Sequence, residues 1–151
     1  MTLSDILLPP AVILPLDAAD RDTAISKLVD ALGLQGDSAD RERLKNAILA
    51  REAAGSTGIG NGVAIPHARS QRLTRPRLAV GKTSCPVDFK SADGKPVSLI
   101  FLLAVPEVAP QSHLRVLASL SRIALDKKFL RGLIKSSSAQ ELFELVAGIP
   151  V

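Results

Sequence analysis

The apolar residues of this chain follow two spacings, which predict strands and helices mixed along its length. Four short segments that contain apolar runs have the length of strands: 11–16, 63–65, 78–83 and 97–104. Elsewhere apolar residues recur every three or four positions, as on the buried face of a helix. This spacing predicts helices over 20–32, 40–53, 111–125, 129–134 and 138–147. The last begins with a capping-box pair, Ser138 and Glu141.

The run 97–104 is almost uninterrupted, as expected of a central strand that is covered on both faces. Together with helices before and after it, this strand predicts an α/β fold. We expect a three-layer sandwich in which a mixed central sheet is flanked by helices. A chain of 151 residues has the length of one domain, so we expect a single domain over residues 1–151.

Composition and charge exclude several classes of protein. The longest apolar run, 99–105, is far shorter than the roughly 20 residues that span a bilayer. The first basic residue is Arg21, so the chain lacks the basic start of a signal peptide. We expect a cytoplasmic protein without direct membrane insertion. The net charge is +4, but the basic residues are scattered along the chain, and Trp and Tyr are absent. This composition argues against nucleic-acid binding. It favours basic residues that are solvated or that contact an acidic protein partner.

The sequence gives little support for cysteine chemistry, metal binding or nucleotide binding. The single cysteine, Cys85, excludes an internal disulfide and a cysteine-rich metal site, and we expect it to be a small buried residue or to have no role. No His, Asp and Glu cluster has the spacing of metal ligands, and we expect no cofactor. Residues 81–83 resemble the end of a P-loop, but Pro76 stands where its first glycine is required. A dinucleotide fingerprint counted from Gly58 fails at Val63.

The segment 55–67 carries the strongest chemical signal. Glycines crowd residues 55–62, and His67 follows a short apolar run. A glycine-rich turn lets backbone N–H groups converge on an anion, and an imidazole that titrates near neutrality is a ready nucleophile. Pro66 should hold the preceding residue extended and aim His67 out of the end of a strand. The pattern indicates phosphoryl transfer to His67; the alternative is a surface histidine with an ordinary hydrogen bond.

Two further residues could assist this chemistry. His113 falls in the first turn of the helix 111–125, where it could hydrogen-bond a phosphoryl oxygen, or it is a surface residue. Arg51 falls in the last turn of the helix 40–53 and could clamp phosphoryl oxygens, or it is a cation that suits a helix C-terminus. The candidate phosphate-binding residues lie in the glycine-rich segment, where turn formation is the alternative role: Ser56, Thr57, Gly58, Gly60 and Asn61.

One segment of the chain resembles the active-site signature of enzyme IIA domains of the fructose/mannitol type. It consists of Arg51-Glu52 and, from residue 55, Gly-Ser-Thr-Gly-Ile-Gly-Asn-Gly-Val-Ala-Ile-Pro-His67. These domains belong to the bacterial phosphoenolpyruvate phosphotransferase system. The uninterrupted glycine-rich sequence of residues 55–62 is most similar to that of the nitrogen-related, regulatory branch. The likeness continues through Phe89, residues 96–106 and the region from His113 to Leu120.

The resemblance implies an α/β sandwich and a role for each candidate. His67 matches the histidine that accepts phosphate from a histidine phosphocarrier protein, His113 the second active-site histidine that stabilises the phosphorylated state, and Arg51 the active-site arginine. Regulated transporters or kinases are the partners implied for the regulatory branch. Two alternatives stay open: a sugar-specific enzyme IIA that passes phosphate to an enzyme IIB, and a non-catalytic binding module. The residues do not tell which imidazole nitrogen is phosphorylated.

Overall fold

The computed structural model describes residues 2–34, 36, 38–108 and 110–151. A 3-10 turn, Leu3–Asp5, precedes the first strand. The strands are β1 (Leu7–Leu16), β2 (Gly58–Gly60), β3 (Val63–Ala64), β4 (His67–Ser70), β5 (Arg77–Val87) and β6 (Val97–Pro106). The helices are α1 (Arg21–Ala31), α2 (Ser38–Ala54), α3 (Pro110–Leu125), α4 (Lys127–Lys135) and α5 (Ala139–Ala147).

The strands form one mixed sheet in the order β1-β5-β6-β3-β2, with β4 also paired to β6. β5 and β6 are antiparallel, whereas β1 runs parallel to β5, and β3 and β4 run parallel to β6. β3 and β4 follow one another along the same edge of β6. Val63 lies opposite Leu99 and His67 opposite Leu103. The predicted mixed sheet is confirmed.

The helices pack in two groups, which explains why the central strand is so apolar. α1 contacts α2 and lies against β1 and β5, while α2 lies against β4. α3 contacts α4 and α4 contacts α5; α3 lies against β2 and β6, and α5 against β1. Residues 99–105 of β6 are all buried, as required of a strand covered on both faces. The predicted three-layer sandwich is confirmed.

The predicted strands were too short or too few, for identifiable reasons. β1 begins four residues earlier than predicted and includes Pro9 and Pro10. Proline lacks the N–H of a sheet ladder, but β1 is an edge strand, where such residues are tolerated. β2 and β4 escaped prediction because they hold glycine or polar residues and span only a few positions. His67 therefore begins a strand instead of leaving the end of one.

Two other local predictions are corrected in detail. Ser138 caps α5 as predicted, by accepting a hydrogen bond from the Glu141 amide at 3.1 Å. The Glu141 carboxylate, however, accepts from the amide of Ser137 at 3.1 Å, one residue before the expected position. Cys85 is exposed instead of buried, because it lies in the part of β5 where the register with β6 is interrupted.

Candidate functional site

The glycine-rich segment folds as a tight β-hairpin. Its strands are β2 and β3, with Gly60 opposite Val63, so Asn61 and Gly62 alone form the connection. Both residues have positive φ, 57° and 79°, as in the type I′ turn that the Asn-Gly pair favours. Gly60 also has a positive φ of 96°. Backbone geometry thus explains these two glycines. We call residues 58–64 the glycine hairpin.

The segment between β5 and β6 holds the glycine hairpin by polar and steric contacts. The Asp93 carboxylate accepts a hydrogen bond from the Asn61 amide at 3.0 Å. The backbone amides of Lys95 and Asn61 lower the pKa of Asp93. A Cβ atom on Gly58 would lie 2.0 Å from the hydroxyl oxygen of Ser91, so this position requires glycine for close packing. The hairpin amide of Asn61 therefore binds an anion supplied by the protein itself.

Glu52 joins the glycine hairpin to α2, a role that sequence reasoning did not assign. Its side chain is buried and accepts hydrogen bonds from the Thr57 amide, at 3.1 Å, and from the Thr57 hydroxyl. A carboxylate in the last turn of a helix is unfavourable, because it lies at the negative end of the helix dipole. This unfavourable position was the sequence signal that Glu52 forms a specific contact. Ser56 likewise donates its hydroxyl to the Phe89 carbonyl. Because each hydroxyl has one proton, phosphate binding by Ser56 and Thr57 stays a prediction that requires these bonds to break.

The backbone of the same segment fixes the tautomer of His67. The ring atom Nδ1 lies 2.8 Å from the carbonyl oxygen of Ile65. A carbonyl oxygen only accepts, so in the neutral ring the proton resides on Nδ1 and the lone pair on Nε2. The side chain is half-buried, which leaves the ring accessible from solvent. Nε2 is therefore the nitrogen available for attack.

A short series of backbone contacts connects Arg51 to His67. Arg51 is exposed in the last turn of α2, and its Nη1 donates to the Gly55 carbonyl at 2.7 Å. The Thr57 carbonyl, two residues later, accepts from the Ile65 amide at 3.1 Å. Ile65 in turn accepts from the His67 ring. A guanidinium carries five N–H donors, so the Gly55 contact leaves most of them for other acceptors.

His113 is half-buried in the first turn of α3, whose other end contacts the glycine hairpin. The Asn61 side-chain amide donates to the Ala124 carbonyl at 2.8 Å. From this common point, the stretch back to His113 covers about 16 Å of helix. After the turn, the stretch from Val63 to His67 covers about 13 Å of extended chain. Because α3 returns along β6, antiparallel to β3 and β4, the two histidines lie toward the same end of the sheet.

Large apolar side chains are exposed on the elements that carry these candidates. Val108 is 91% exposed and Leu114 59% exposed, on either side of His113 in sequence. Ile59, on the glycine hairpin, is 43% exposed. Val108 and Leu114 are close to His113 in the chain, and exposed apolar side chains near a candidate site can contact another protein.

The described part of the chain holds no group of three His, Cys, Asp or Glu side chains placed to bind a metal ion. Within the same residues, every helix is too short or too polar to cross a membrane.

The sequence matches one family model over residues 5–148: "Phosphoenolpyruvate-dependent sugar phosphotransferase system, EIIA 2". The chain is 32% identical over 148 residues to a nitrogen regulatory protein of Pseudomonas aeruginosa, covering 97% of this chain and 96% of that protein. It is also 32% identical to a fructose-specific EIIABC component of Bacillus subtilis. That match covers 97% of this chain but only 23% of the longer protein.

Solved structures give the same assignment. The nitrogen regulatory protein IIA-Ntr of Neisseria meningitidis matches with a TM-score of 0.88 and 35% identity, covering 95% of this chain and 98% of that one. IIA mannitol of Escherichia coli shares the fold, with a TM-score of 0.74, 22% identity and coverage of 91% and 96%. The chain belongs to the EIIA 2 family of the phosphoenolpyruvate-dependent sugar phosphotransferase system.

Proposed function

We propose that this protein is a phosphoryl carrier in which Nε2 of His67 accepts phosphate from a histidine phosphocarrier protein. The observation that carries the proposal is the hydrogen bond between Nδ1 of His67 and the Ile65 carbonyl. This bond keeps the proton on Nδ1 and directs the lone pair of Nε2 away from the backbone. The half-buried ring can then meet a donor on a second protein.

The transfer exchanges one P–N bond for another. The Nε2 lone pair attacks the phosphorus of the donor's phosphohistidine, and the donor nitrogen leaves with the electron pair of the broken bond. His67 keeps its Nδ1 proton, so the product carries a positive ring next to the phosphoryl group. The Ile65 carbonyl stabilises this ring because its oxygen accepts from the Nδ1–H that the cation retains.

Arg51 and His113 complete the proposed site. The exposed guanidinium of Arg51, held at the start of the glycine-rich segment, supplies positive charge for the transferring phosphoryl oxygens. We assign to His113 the role of hydrogen-bonding the phosphorylated ring or its phosphoryl group. The residues Ser56, Thr57, Gly58, Gly60 and Asn61 would reach phosphate only through groups that their internal hydrogen bonds leave available.

We infer a regulatory output in the cytoplasm. Relatives named nitrogen regulatory proteins match over nearly their whole length, which supports this branch. Phosphorylation would add about −1.5 to −2 charge at the end of the sheet that also holds His113, which the exposed apolar residues Val108 and Leu114 flank in sequence. Such a change would alter which partner binds, a transporter component or a kinase being the classes proposed. The alternative, delivery of phosphate to an enzyme IIB, is supported by the fructose-specific relative.

Reconstituted transfer tests the proposal. Incubation with phosphoenolpyruvate, enzyme I and the phosphocarrier protein should add the mass of one phosphoryl group, labile to acid and stable to base. Phosphorus NMR should assign the label to the Nε2 isomer of phosphohistidine. His67→Ala should remain unlabelled while keeping its circular dichroism spectrum. Equal labelling of wild type and His67→Ala, or a Nδ1 isomer, would contradict the proposal.

A further inference from the structure

A polar cavity of about 560 Å³ lies between the first turns of α2 and the end of β4, outside the proposed phosphorylation site. Its charged lining consists of Asp40, Arg43, Arg69 and Arg72. Three guanidinium groups thus face one carboxylate, which leaves a net charge of about +2 when all four groups are ionised. We call this cavity the arginine pocket.

The ion pairs within the arginine pocket leave two of its guanidinium groups largely exposed to solvent. Asp40 contacts both Arg43 and Arg72, the latter at 3.3 Å between Nε and Oδ1. The side chains of Arg43 and Arg72 are 66% and 71% exposed, whereas the Asp40 side chain that both contact is only 15% exposed. Solvent can therefore reach both guanidinium groups, and a second anion there would compete with Asp40. Arg69 is exposed and forms no ion pair with any described carboxylate. A more highly charged anion could therefore compete with Asp40 for these cations.

The neighbouring surface extends the positive charge. Arg72 also lines a second cavity of about 330 Å³, together with Arg75 and Arg77 and facing Asp5. The sequence contains no Asp or Glu from residue 53 to residue 87, so the carboxylates near these arginines come from other parts of the chain. They include Asp40, Asp5 and Glu107, whose backbone amide donates to the Ser70 carbonyl at 3.2 Å. Arg72 stands between the two cavities. A ligand with two anionic groups could be held on both sides of this residue.

We propose that the arginine pocket binds a small diphosphate compound, for which inorganic pyrophosphate is the simplest representative. Guanidinium groups match phosphate oxygens with pairs of parallel hydrogen bonds, and no apolar contact is needed for this recognition. The cavity volume lies within the usual range for small-molecule sites. A diphosphate carries more charge than the Asp40 carboxylate with which it competes. This binding does not depend on phosphorylation of His67.

The position of the pocket gives the bound anion a regulatory location. His67 and Arg69 are two residues apart on β4, so they lie on the same face of the strand, about 7 Å apart along it. A diphosphate at Arg69 would thus lie close to the candidate phosphorylation residue. Binding itself is measured on the unphosphorylated protein, which separates this proposal from the phosphoryl-transfer proposal.

Titration calorimetry with pyrophosphate tests the proposal. We expect saturable one-to-one binding that is tighter than binding of orthophosphate and that weakens as salt is added. Arg69→Gln and Arg72→Gln should each weaken binding about tenfold to a hundredfold, because each removes charge-assisted hydrogen bonds. Asp40→Asn should tighten binding, since it keeps the side-chain shape and removes the competing charge. The matched control is Lys128→Gln, an equal loss of charge at an exposed site on α4, which should bind as wild type.

Two further measurements accompany the calorimetry: amide chemical shifts locate the bound pyrophosphate, and thermal unfolding checks that each variant is folded. Pyrophosphate should shift the amide signals of residues 69–72 in wild type, and every variant should keep the wild-type melting profile. Absence of pyrophosphate binding to folded wild type would overturn the proposal. Equal weakening by Lys128→Gln and Arg72→Gln would do the same, because it would indicate diffuse attraction to a basic protein.

Discussion

The ring of His67 is oriented by its own backbone. The carbonyl that accepts from Nδ1 belongs to Ile65, and Pro66 stands between the two residues. Proline has a fixed φ and holds the residue before it extended, so the carbonyl and the ring are placed by local covalent geometry. The Pro66 carbonyl in turn accepts from the Leu103 amide of β6 at 2.9 Å, which fixes this dipeptide to the sheet.

At the residue scale, His113 should affect discharge of phosphate more than its acceptance. We expect His113→Ala to become fully labelled in the reconstituted reaction but to return phosphate to the carrier about tenfold to a hundredfold more slowly, because a hydrogen bond that is strongest on the phosphoryl group in the transition state is lost. His113→Gln, which retains a donor, should recover part of the rate. The measurement is rapid-quench discharge of the labelled protein, and identical discharge rates for wild type and His113→Ala would contradict this role.

At the element scale, the glycine hairpin depends on the surrounding chain more than on its own contacts. Glu52 fastens its base to α2, Asp93 binds its turn, and Ser91 packs against Gly58. A two-stranded hairpin alone is at best marginally stable in water. Pairing of β3 with β6 supplies the remaining support. The glycine-rich segment, which the sequence indicates for phosphoryl chemistry, thus also has a structural role.

Gly58→Ala should destabilise the protein because the new methyl group would overlap Ser91. Overpacking of this kind costs about 1–3 kcal/mol, and we expect that loss in the free energy of unfolding measured with urea. Ser91→Gly in the same chain should restore much of it. Gly132→Ala is the matched control: a Cβ there meets nothing within 4 Å, and alanine should stabilise α4 by up to about 1 kcal/mol. Equal stability of Gly58→Ala and wild type would contradict the packing argument.

At the scale of the whole molecule, the sheet register decides which residues meet. β3 and β4 lie end to end along β6, and α3 runs back over β6 with its last turn held by Asn61. His67, at the start of β4, and His113, at the start of α3, are therefore brought to one end of the sheet. A shift of β4 by one residue would turn His67 to the other face.

Acid should weaken the fold through two carboxylates. The amide and hydroxyl of Thr23 lower the pKa of Asp20 below its ordinary value of 3.8, and backbone amides lower that of Asp93. Groups with a lowered pKa in the folded state stabilise it above the unfolded pKa, and this stability is lost as the pH falls through the folded pKa. Urea unfolding from pH 7 to about pH 3 should show the loss. Asp20→Asn, which still caps α1, should reduce it, whereas Asp17→Asn, outside any helix cap, should not.

We also predict that the chain unfolds as one domain. One continuous core cluster includes residues from both helix groups and from the sheet between them. Thermal unfolding followed by circular dichroism and by calorimetry should therefore give one cooperative transition with equal van't Hoff and calorimetric enthalpies. Two separated transitions would contradict a single domain.

The sequence by itself determined the elements whose residues are buried in a regular pattern. The apolar run of β6 and the helices were predictable because burial repeats with the period of each element. Ser138 was recognisable as a cap from its residue type and its spacing to Glu141. The chemical candidates His67, His113 and Arg51 were equally visible, since histidines are rare here and one follows a glycine-rich segment. Local chemistry and local periodicity need no knowledge of distant contacts.

The tertiary structure alone decided how these parts are arranged. Strands as short as β2 and β4 exist because β6 provides hydrogen bonds for β4 and for β3, the partner of β2. The contacts of Asp93, Ser91 and Glu52 with the glycine-rich segment gave it a structural role, and the Ile65 carbonyl selected the free nitrogen of His67. Asp93 and Ser91 are far along the chain from their partners Asn61 and Gly58, so only the packed sheet brings them together. The Glu52–Thr57 and Ile65–His67 contacts are local in sequence.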